Sequence, residues 1–450
     1  MKIEVCEEID YFDLDDSTVV RIFRNQRGDF VISRYSKRSK VENHTYNYEL
    51  ISEDQSFIKK LDLEHAQLIL KRLRSGATYN GAFIFYSQDH NNLVEFELPE
   101  KSQEEHKYTS TGIKFWRHQE SLEAYKNRDP NTVISTHISP EGACNLRCPY
   151  CSVSYRETHN RLDLETIQNY VRTLKEFGLR AVILTGGGEP TSYKYFNELV
   201  RWIHAEGLKV ALITNGTLSH RVSDDVWPLF TWIRVSINIF DGWEQRIRLP
   251  LEHISEKTIV GCSFVFTIEH ESVQEMGSER LDILKRVSAV ADNCGAKYIR
   301  LLPNCLLEQE DLKRQHMVLE KVLHQVEDKR FFHQYKVHGA PKSSVCHQSY
   351  FRPYLSEESH TVTGRPGAVY PCDSVVLNDS ATQFKSEYQL CHASDISSYM
   401  KRKISQNFDA SIDCKGCVFT DNVNMLQDYI SDGKNKFNEF LEPIEHEEFI

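Results

Sequence analysis

The 450-residue sequence lacks a basic start followed by an apolar core; it opens MKIEVCEEIDYFDLDD, so a secretory signal is not expected. No apolar run approaches the roughly 20 residues that span a bilayer. The expectation is a cytoplasmic protein with no membrane partner. Heptads, a fixed-period repeat and low-complexity tracts are missing too, which excludes coiled coils, solenoids and collagen-like arrays. Excess positive charge is also absent. With 54 Lys and Arg against 65 Asp and Glu the net charge is −11, which disfavours a broad polyanion-binding surface.

What is present is a hydrophobic content of 40%. That is enough for at least one large core, and the length suggests two or three domains. Cysteine is not scarce: the chain has twelve. In a reducing compartment they argue for thiolate ligands or buried free thiols, not for a disulfide framework.

Residues 1–130 read as an α+β accessory domain. Thr18–Phe23 and Phe30–Tyr35 alternate in polarity around Gly28, and Ala82–Tyr86 with Leu93–Leu98 suggests a second hairpin. Leu63, Ala66, Leu70 and Leu73 recur at helical spacing before Gly76. Residues 100–131 are rich in charge and read as a connecting segment. From about Val133 short β-rich runs alternate with amphipathic helices. Strands are expected at 132–138, 181–184, 210–214, 233–239, 262–268 and 298–302, with helices at 164–177, 195–206 and 279–293. Such alternation indicates an α/β fold of parallel βα units over 131–335, closing as a partial or complete barrel. Functional groups of such barrels gather at the C-terminal ends of the strands. Residues 336–430 read as a small cysteine-rich domain, and 431–450 as an acidic tail, solvated or loosely docked.

The stretch ACNLRCPYC places Cys144, Cys148 and Cys151 in one loop after the first of these strands. Thiolates are soft ligands that suit zinc or iron–sulfur clusters. A closed structural zinc site or a simple electron-transfer cluster takes four protein ligands, and this loop supplies three. A [4Fe–4S] cluster with one iron left free of protein would answer that count.

At these residues the sequence resembles the radical S-adenosylmethionine (SAM) enzymes, whose motif is C-x3-C-x2-C with an aromatic residue before the last cysteine. Cys144, Cys148, Tyr150 and Cys151 match it. The resemblance implies a (β/α)6 TIM-like barrel and a cluster whose free iron chelates SAM. It also implies reductive cleavage of SAM to a 5′-deoxyadenosyl radical, which abstracts hydrogen from a substrate. Gly186, Gly187, Gly188, Glu189 and Pro190 look like the family's GGEP motif, where backbone must approach the ligand closely. By the same resemblance Thr214 and Asn215, ending the third strand, and Ser236 and Asn238 on the fourth are placed at the cofactor. Arg246 or Arg248 is a candidate for the SAM carboxylate, with no choice between them. The resemblance covers roughly residues 132–305.

Cys346, Cys372, Cys414 and Cys417, with GAVYPC and DCKGC around the last three, are similar to the auxiliary-cluster extensions of radical SAM enzymes called SPASM and twitch domains. The C-x5-C-x3-C series of the full SPASM pattern does not follow Cys417, so one auxiliary [4Fe–4S] cluster of the shorter type is expected. A structural zinc site with four cysteine ligands is the alternative. Cys391 is read as a buried thiol sooner than as a replacement for Cys346. Cys6, Cys262, Cys294 and Cys305 are read as packing residues.

Arg34, Lys37, Arg38 and Lys40 form a basic cluster that suits either a solvated hairpin edge or a nucleic-acid contact. His333 and His338 lack a partner motif, and His137 is a strand residue. Asp373 and Tyr370 flank Cys372 and are candidates to face a substrate, but no catalytic residue beyond the cofactor ligands is identifiable.

The expected function is therefore radical SAM chemistry. Its outcome would be oxidation or cross-linking of a peptide, or dehydrogenation of a small polar metabolite, with an electron donor such as flavodoxin or ferredoxin. The other readings are modification of a nucleotide or nucleic-acid base, and a non-catalytic metal-binding interaction protein.

Overall fold

The computed structural model describes the strands within residues 5–97 by their backbone, and residues 101–450 apart from 239, 267–277, 308, 337 and 379–382. The chain divides into two compact units, Met1–Glu100 and Lys101–Ile450. In the first, β1 (Val5–Asp15), β2 (Thr18–Asn25), β3 (Phe30–Val41), β4 (Thr45–Leu50), β7 (Asn92–Glu97) and β6 (Ala82–Ser87) follow one another across an antiparallel sheet. A two-residue β5 (Lys60–Leu61) pairs with β3. Both expected hairpins are there, β2 with β3 and β6 with β7. The helix expected at 63–76 and the side chains of the basic cluster on β3 lie outside the described residues.

The second unit is built on a ten-stranded sheet. β8 (Ser135–Ile138), β9 (Ala181–Leu184), β10 (Lys209–Thr214), β11 (Phe230–Ile237), β12 (Ile259–Phe266), β13 (Tyr298–Pro303) and β14 (Phe331–His333) run parallel in chain order. This is the expected α/β partial barrel, extended by the short β14. At the other edge β15 (Tyr354–Leu355) pairs in parallel with β8. β16 (Ala368–Tyr370) and β17 (Cys391–His392) then continue the sheet antiparallel. The GAVYPC hairpin is thus an extension of the barrel wall.

Helices cover the outer face because their apolar residues recur at three and four. Ile167, Tyr170, Val171 and Leu174 are buried on Leu164–Glu176, as are Phe196, Leu199, Val200 and Ile203 on Phe196–Ala205. Each such side chain contributes roughly 1.5–3 kcal/mol by leaving water. On β11, Ile233, Val235 and Ile237 join that outer core, whereas Trp232 belongs to a separate lumen cluster with Ala181, Ile183, Ala211 and Phe449. Period two sends Arg234, Ser236 and Asn238 the same way as Trp232.

Two expectations from local polarity differ from the structure. Residues 100–131 hold helices at Gln103–Tyr108 and Gln119–Lys126, with Phe115, Trp116, Leu122 and Tyr125 buried. Their high charge conceals a short apolar stripe. The final residues are not a solvated tail: Phe449 and Ile450 are buried, Phe449 standing edge-on to Trp232 at 5.4 Å between ring centroids. The acidic residues around them are paired, Glu447 with Arg117 at 2.9 Å and Glu448 with Lys209. Averaged polarity hid an apolar plug carried between ion pairs.

Candidate functional site

The cysteine loop leaves β8 at the C-terminal mouth of the barrel and is laced to the loop after β9. Thr185 N donates to Ile138 O at 3.0 Å, Gly187 N to Ser139 Oγ at 2.7 Å, Gly188 N to Glu141 O at 2.9 Å and Glu189 N to Ala143 O at 2.8 Å. Side chains have no room in this seam. A Cβ on Gly186 would stand 1.9 Å from Gly188 O, one on Gly188 2.0 Å from Ala143 O, and one on Gly187 1.8 Å from Glu357 Oε1.

Glu189 is buried and serves the protein itself. Its Oε1 accepts from Thr191 N (3.2 Å), Thr191 Oγ1 (2.6 Å) and Thr214 Oγ1 (2.5 Å), and its Oε2 from Asn215 N (2.8 Å). Burial pushes its carboxyl above the usual carboxylate range while these donors pull it back. Glu189 and Thr214 thereby clamp the end of β9 to the end of β10. Asn215 turns toward the cysteine loop, donating to Asn145 Oδ1 at 3.0 Å and lying 3.9 Å from Cys144 Sγ.

Each thiol of the loop has an N–H donor. Asn238 Nδ2 approaches Cys148 Sγ at 2.8 Å, Leu146 N approaches Cys144 Sγ at 3.4 Å, and an Arg156 guanidinium nitrogen lies 3.8 Å from Cys151 Sγ. The Tyr150 hydroxyl also meets Cys148, and burial holds that hydroxyl well above the usual phenol range. Burial pushes the Cys144 thiol up and the Cys148 thiol up to about 11. As free thiols both stay protonated at neutral pH, so a cationic centre is needed to draw their protons. Donors aimed at sulfur suit that centre, since such hydrogen bonds set the potential of an iron–sulfur cluster. Ser236 lies one layer deeper, its Oγ 3.4 Å from Ser263 Oγ. Arg248 sits beside the Thr214–Asn215–Gly216 turn, its backbone N–H donating to Gly216 O.

The C-terminal thiols form a second group. Cys346 is close enough to Cys414 and Cys417 for their charges to act on one another, as are Cys372 with Cys346 and Cys417, and Cys414 with Cys372 and Cys417. Burial is the first cause that pushes all four above the usual thiol range. Phe419 N–H and the Thr420 hydroxyl approach Cys417, and Asn378 approaches Cys414. Cys391 stands apart, with Asp395 and Tyr170 as its charged or titratable neighbours. Among the described residues no three His, Cys, Asp or Glu side chains are drawn together as the ligands of one metal ion.

Other expectations meet mixed outcomes. Cys262 and Cys294 are buried against each other. Cys305 is not simply packed: it is partly exposed and lies near Lys336 and Arg300. His333 is a core residue, 2.8 Å from His316. Tyr370 is buried and takes a hydrogen bond from Gln389, so it does not face a chamber. Asp373 is half-buried, reaching His137 at 3.3 Å and Arg352 at 3.4 Å. Sequence reasoning missed Arg156, Asn145, Ser139 and the fully buried Glu357. They come from loops or from 200 residues downstream, and no spacing marks them.

Residues 138–251 match the family model described as the Radical SAM superfamily. That stretch, which holds the cysteine loop and the glycine run, is similar to a radical SAM domain. Curated relatives include an S-adenosylmethionine-dependent nucleotide dehydratase of Selenomonas ruminantium, 34% identical over 19% of this chain and 30% of the relative. A GTP 3′,8-cyclase of Helicobacter pylori is 27% identical over 34% of this chain and 52% of the relative. This chain therefore spans about half or less of the length of either. Among solved structures, Streptococcus suis SuiB bound to precursor peptide SuiA is 13% identical with a TM-score of 0.39, over 76% of this chain and 82% of that one. The family of that model implies a [4Fe–4S] cluster and SAM as cofactors. Among the described residues no helix is long and apolar enough to cross a membrane.

Proposed function

We propose that the chain is a radical SAM enzyme that oxidises or cross-links a peptide or dehydrogenates a small polar metabolite. One observation carries the reading: a three-cysteine loop at the end of β8 is zipped by backbone hydrogen bonds to a triple-glycine loop at the end of β9, and Asn238 beyond β11 donates to its central sulfur. In this reading Cys144, Cys148 and Cys151 hold three irons of the cluster. When bound, cluster and SAM supply one-electron cleavage of the sulfonium and, through it, hydrogen abstraction. The protein's part is placement. Gly186–Gly188 leave backbone bare where the methionine end of SAM would lie, Glu189 fixes the β9 and β10 ends to one another, and Asn215 and Asn238 orient the thiol loop.

Cys346, Cys372, Cys414 and Cys417 would hold an auxiliary [4Fe–4S] cluster able to take an electron from a substrate radical. The zinc alternative predicts zinc and no iron at that site, with visible absorption only from the cluster of the 144–151 loop. An electron donor of the flavodoxin or ferredoxin kind and a cytoplasmic location complete the proposal. The test is anaerobic reconstitution with SAM and dithionite, in which 5′-deoxyadenosine is the expected product. Its absence under any reductant would favour a metal-binding interaction protein.

A second reading, modification of a nucleotide or base, is favoured by the names of the curated relatives, a nucleotide dehydratase and a GTP cyclase. Labelled nucleotides that pass deuterium into 5′-deoxyadenosine would select it.

A further inference from the structure

Among the described residues, the barrel lumen holds more positive charge than its carboxylates neutralise. Arg234 points inward from β11 and Arg300 from β13; Lys336 follows β14 and Arg352 precedes β15. Register places them in layers. Arg234 pairs with Gly261 and Gly261 with Tyr298, while Ser236 pairs with Ser263 and Ser263 with Arg300. Arg300 is therefore level with Ser236, two residues or roughly 7 Å below Asn238, and Arg234 lies one layer deeper. The intervening strand is bare at Gly261, where a Cβ would fall 2.0 Å from the Tyr298 ring.

These cations repel one another in a chain. Arg234 bears on Arg300, and both Arg300 and Arg352 bear on Lys336. Burial, helped by Arg234, pushes the Arg300 guanidinium down to about 9. Asp373 is the carboxylate that meets them, its Oδ1 3.4 Å from an Arg352 terminal nitrogen and its Oδ2 3.3 Å from His137 Nδ1. Glu105 is only a partial second counter-ion: burial raises it to about 7, against the pull of Lys101, Lys336 and Arg300. Donors are left over as well. Arg234 Nε, Arg300 Nε, and Arg352 Nε and one of its terminal nitrogens are buried without a hydrogen-bond partner among the described residues. Arg300 otherwise donates to Gln334 at 2.8 Å, and the Arg234 guanidinium lies 5.3 Å over the Trp232 ring.

Buried charge without a partner costs several kcal/mol, and a guanidinium with spare donors is the group that best grips a planar carboxylate or a phosphate. We propose that the lumen receives an anionic group of a small substrate, carboxylate or phosphate, between Arg234, Arg300, Lys336 and Arg352. This rests on the reading of the lumen as the substrate chamber of a radical SAM enzyme. An anion held at the Arg300 level would leave the rest of a small molecule directed up toward Asn238 and the thiol loop.

The experiment compares inorganic pyrophosphate and citrate with chloride at matched ionic strength, on the reconstituted full chain, by calorimetric titration and thermal unfolding. The expected result is that at least one of the two binds and raises Tm. Pyrophosphate alone would indicate a phosphorylated substrate, and citrate alone a carboxylate. Arg300→Gln should weaken that binding by about tenfold or more. Without added anion the same variant should melt no lower than wild type, because it sheds a buried charge that has no carboxylate ion pair among the described residues. Arg300→Lys, which keeps the charge but not the guanidinium fork, should bind more tightly than Arg300→Gln and guards against loss of binding by misfolding. No anion-specific binding in wild type, or binding undiminished in Arg300→Gln, would overturn the proposal. Formation of 5′-deoxyadenosine is scored separately, so a chain that cleaves SAM but ignores both anions sinks this inference alone, and one that binds them without cleaving SAM sinks the enzymatic reading.

Discussion

The two ends of the barrel are made of different material. At the mouth, side chains are polar and spoken for by one another: Glu189 takes four donors, Asn215 bridges to Asn145, and every thiol of the cysteine loop has an N–H nearby. At the floor, Phe449 packs on Trp232, Ala181, Ile183 and Ala211. A parallel barrel collects its chemistry at the C-terminal ends of its strands and leaves the other end to stability. Substitutions at the mouth should therefore cost function with little loss of fold, and substitutions at the floor the reverse.

The largest expected effect is at the mouth. Cys148→Ala should lower 5′-deoxyadenosine formation by about a hundredfold or more, since losing a ligand exceeds the 10–100-fold typical of losing a residue behind one. Iron at the loop should fall while metal at the C-terminal thiols persists. If Cys148→Ala instead retained full SAM cleavage, the assignment of chemistry to this end would fail.

At the floor, Phe449→Ala should cost about 3 kcal/mol of stability, in the range for a buried aromatic truncated to alanine. SAM affinity should be unchanged, because the plug lies at the opposite end of the strands from the glycine seam. Denaturant unfolding measures the first quantity and equilibrium dialysis with SAM the second. A drop in affinity as large as the drop in stability would show that the two ends are not separable.

Much of this division is legible in sequence, and the exceptions have physical causes. Runs such as AVIL at 181–184 and the stripe Ile167, Tyr170, Val171 and Leu174 declare themselves because period and burial agree. The glycine run and the cysteine spacing are legible because close backbone approach and metal ligation each demand one residue type. The floor is not. Phe449 and Ile450 are two apolar residues among acids, and their role depends on Arg117 and Lys209, hundreds of residues away, neutralising Glu447 and Glu448. The lumen cations are equally hidden, because Arg234 and Arg300 sit singly on β-rich strands and reveal their crowding only through the register of three strands. Glu189 is a subtler case: its motif is readable, but only geometry shows its carboxylate already taken by Thr191, Thr214 and Asn215.

That engagement sets the next prediction. Glu189→Gln replaces an acceptor oxygen by an NH2 that must face a donor, so the clamp between β9 and β10 should loosen. SAM affinity of the reconstituted protein should fall roughly tenfold to a hundredfold, matching the 1.5–3 kcal/mol of a hydrogen bond to a charged group. Loop iron should remain, since Glu189 touches no cysteine. Unchanged affinity would mean that the seam holds its shape without the clamp, and the mouth would be less tightly organised than its hydrogen bonds suggest.

The smallest effect returns to the floor and is read through pH. Lys114 is buried, its Nζ donating to Lys107 O at 2.8 Å and His446 O at 3.1 Å. Burial lowers its pKa from 10.5 to about 7, with Arg234 adding to the shift and Glu448, Glu445 and Glu447 opposing it. Below about pH 7 the folded protein carries the full penalty of a buried ammonium. Between about 7 and 10.5 the unfolded chain holds a proton that the folded one has released, so this residue's contribution to stability rises with pH. Lys114→Met lacks that slope. Its stability relative to wild type should be most favourable near pH 6 and should decline by about 1–2 kcal/mol toward pH 9, the discount from the full shift reflecting relaxation around buried charge. Urea unfolding of both proteins across that range measures the difference directly, and a difference independent of pH would mean that Lys114 stays charged in the fold, its ammonium fully compensated by the two carbonyls and the acidic residues of the plug.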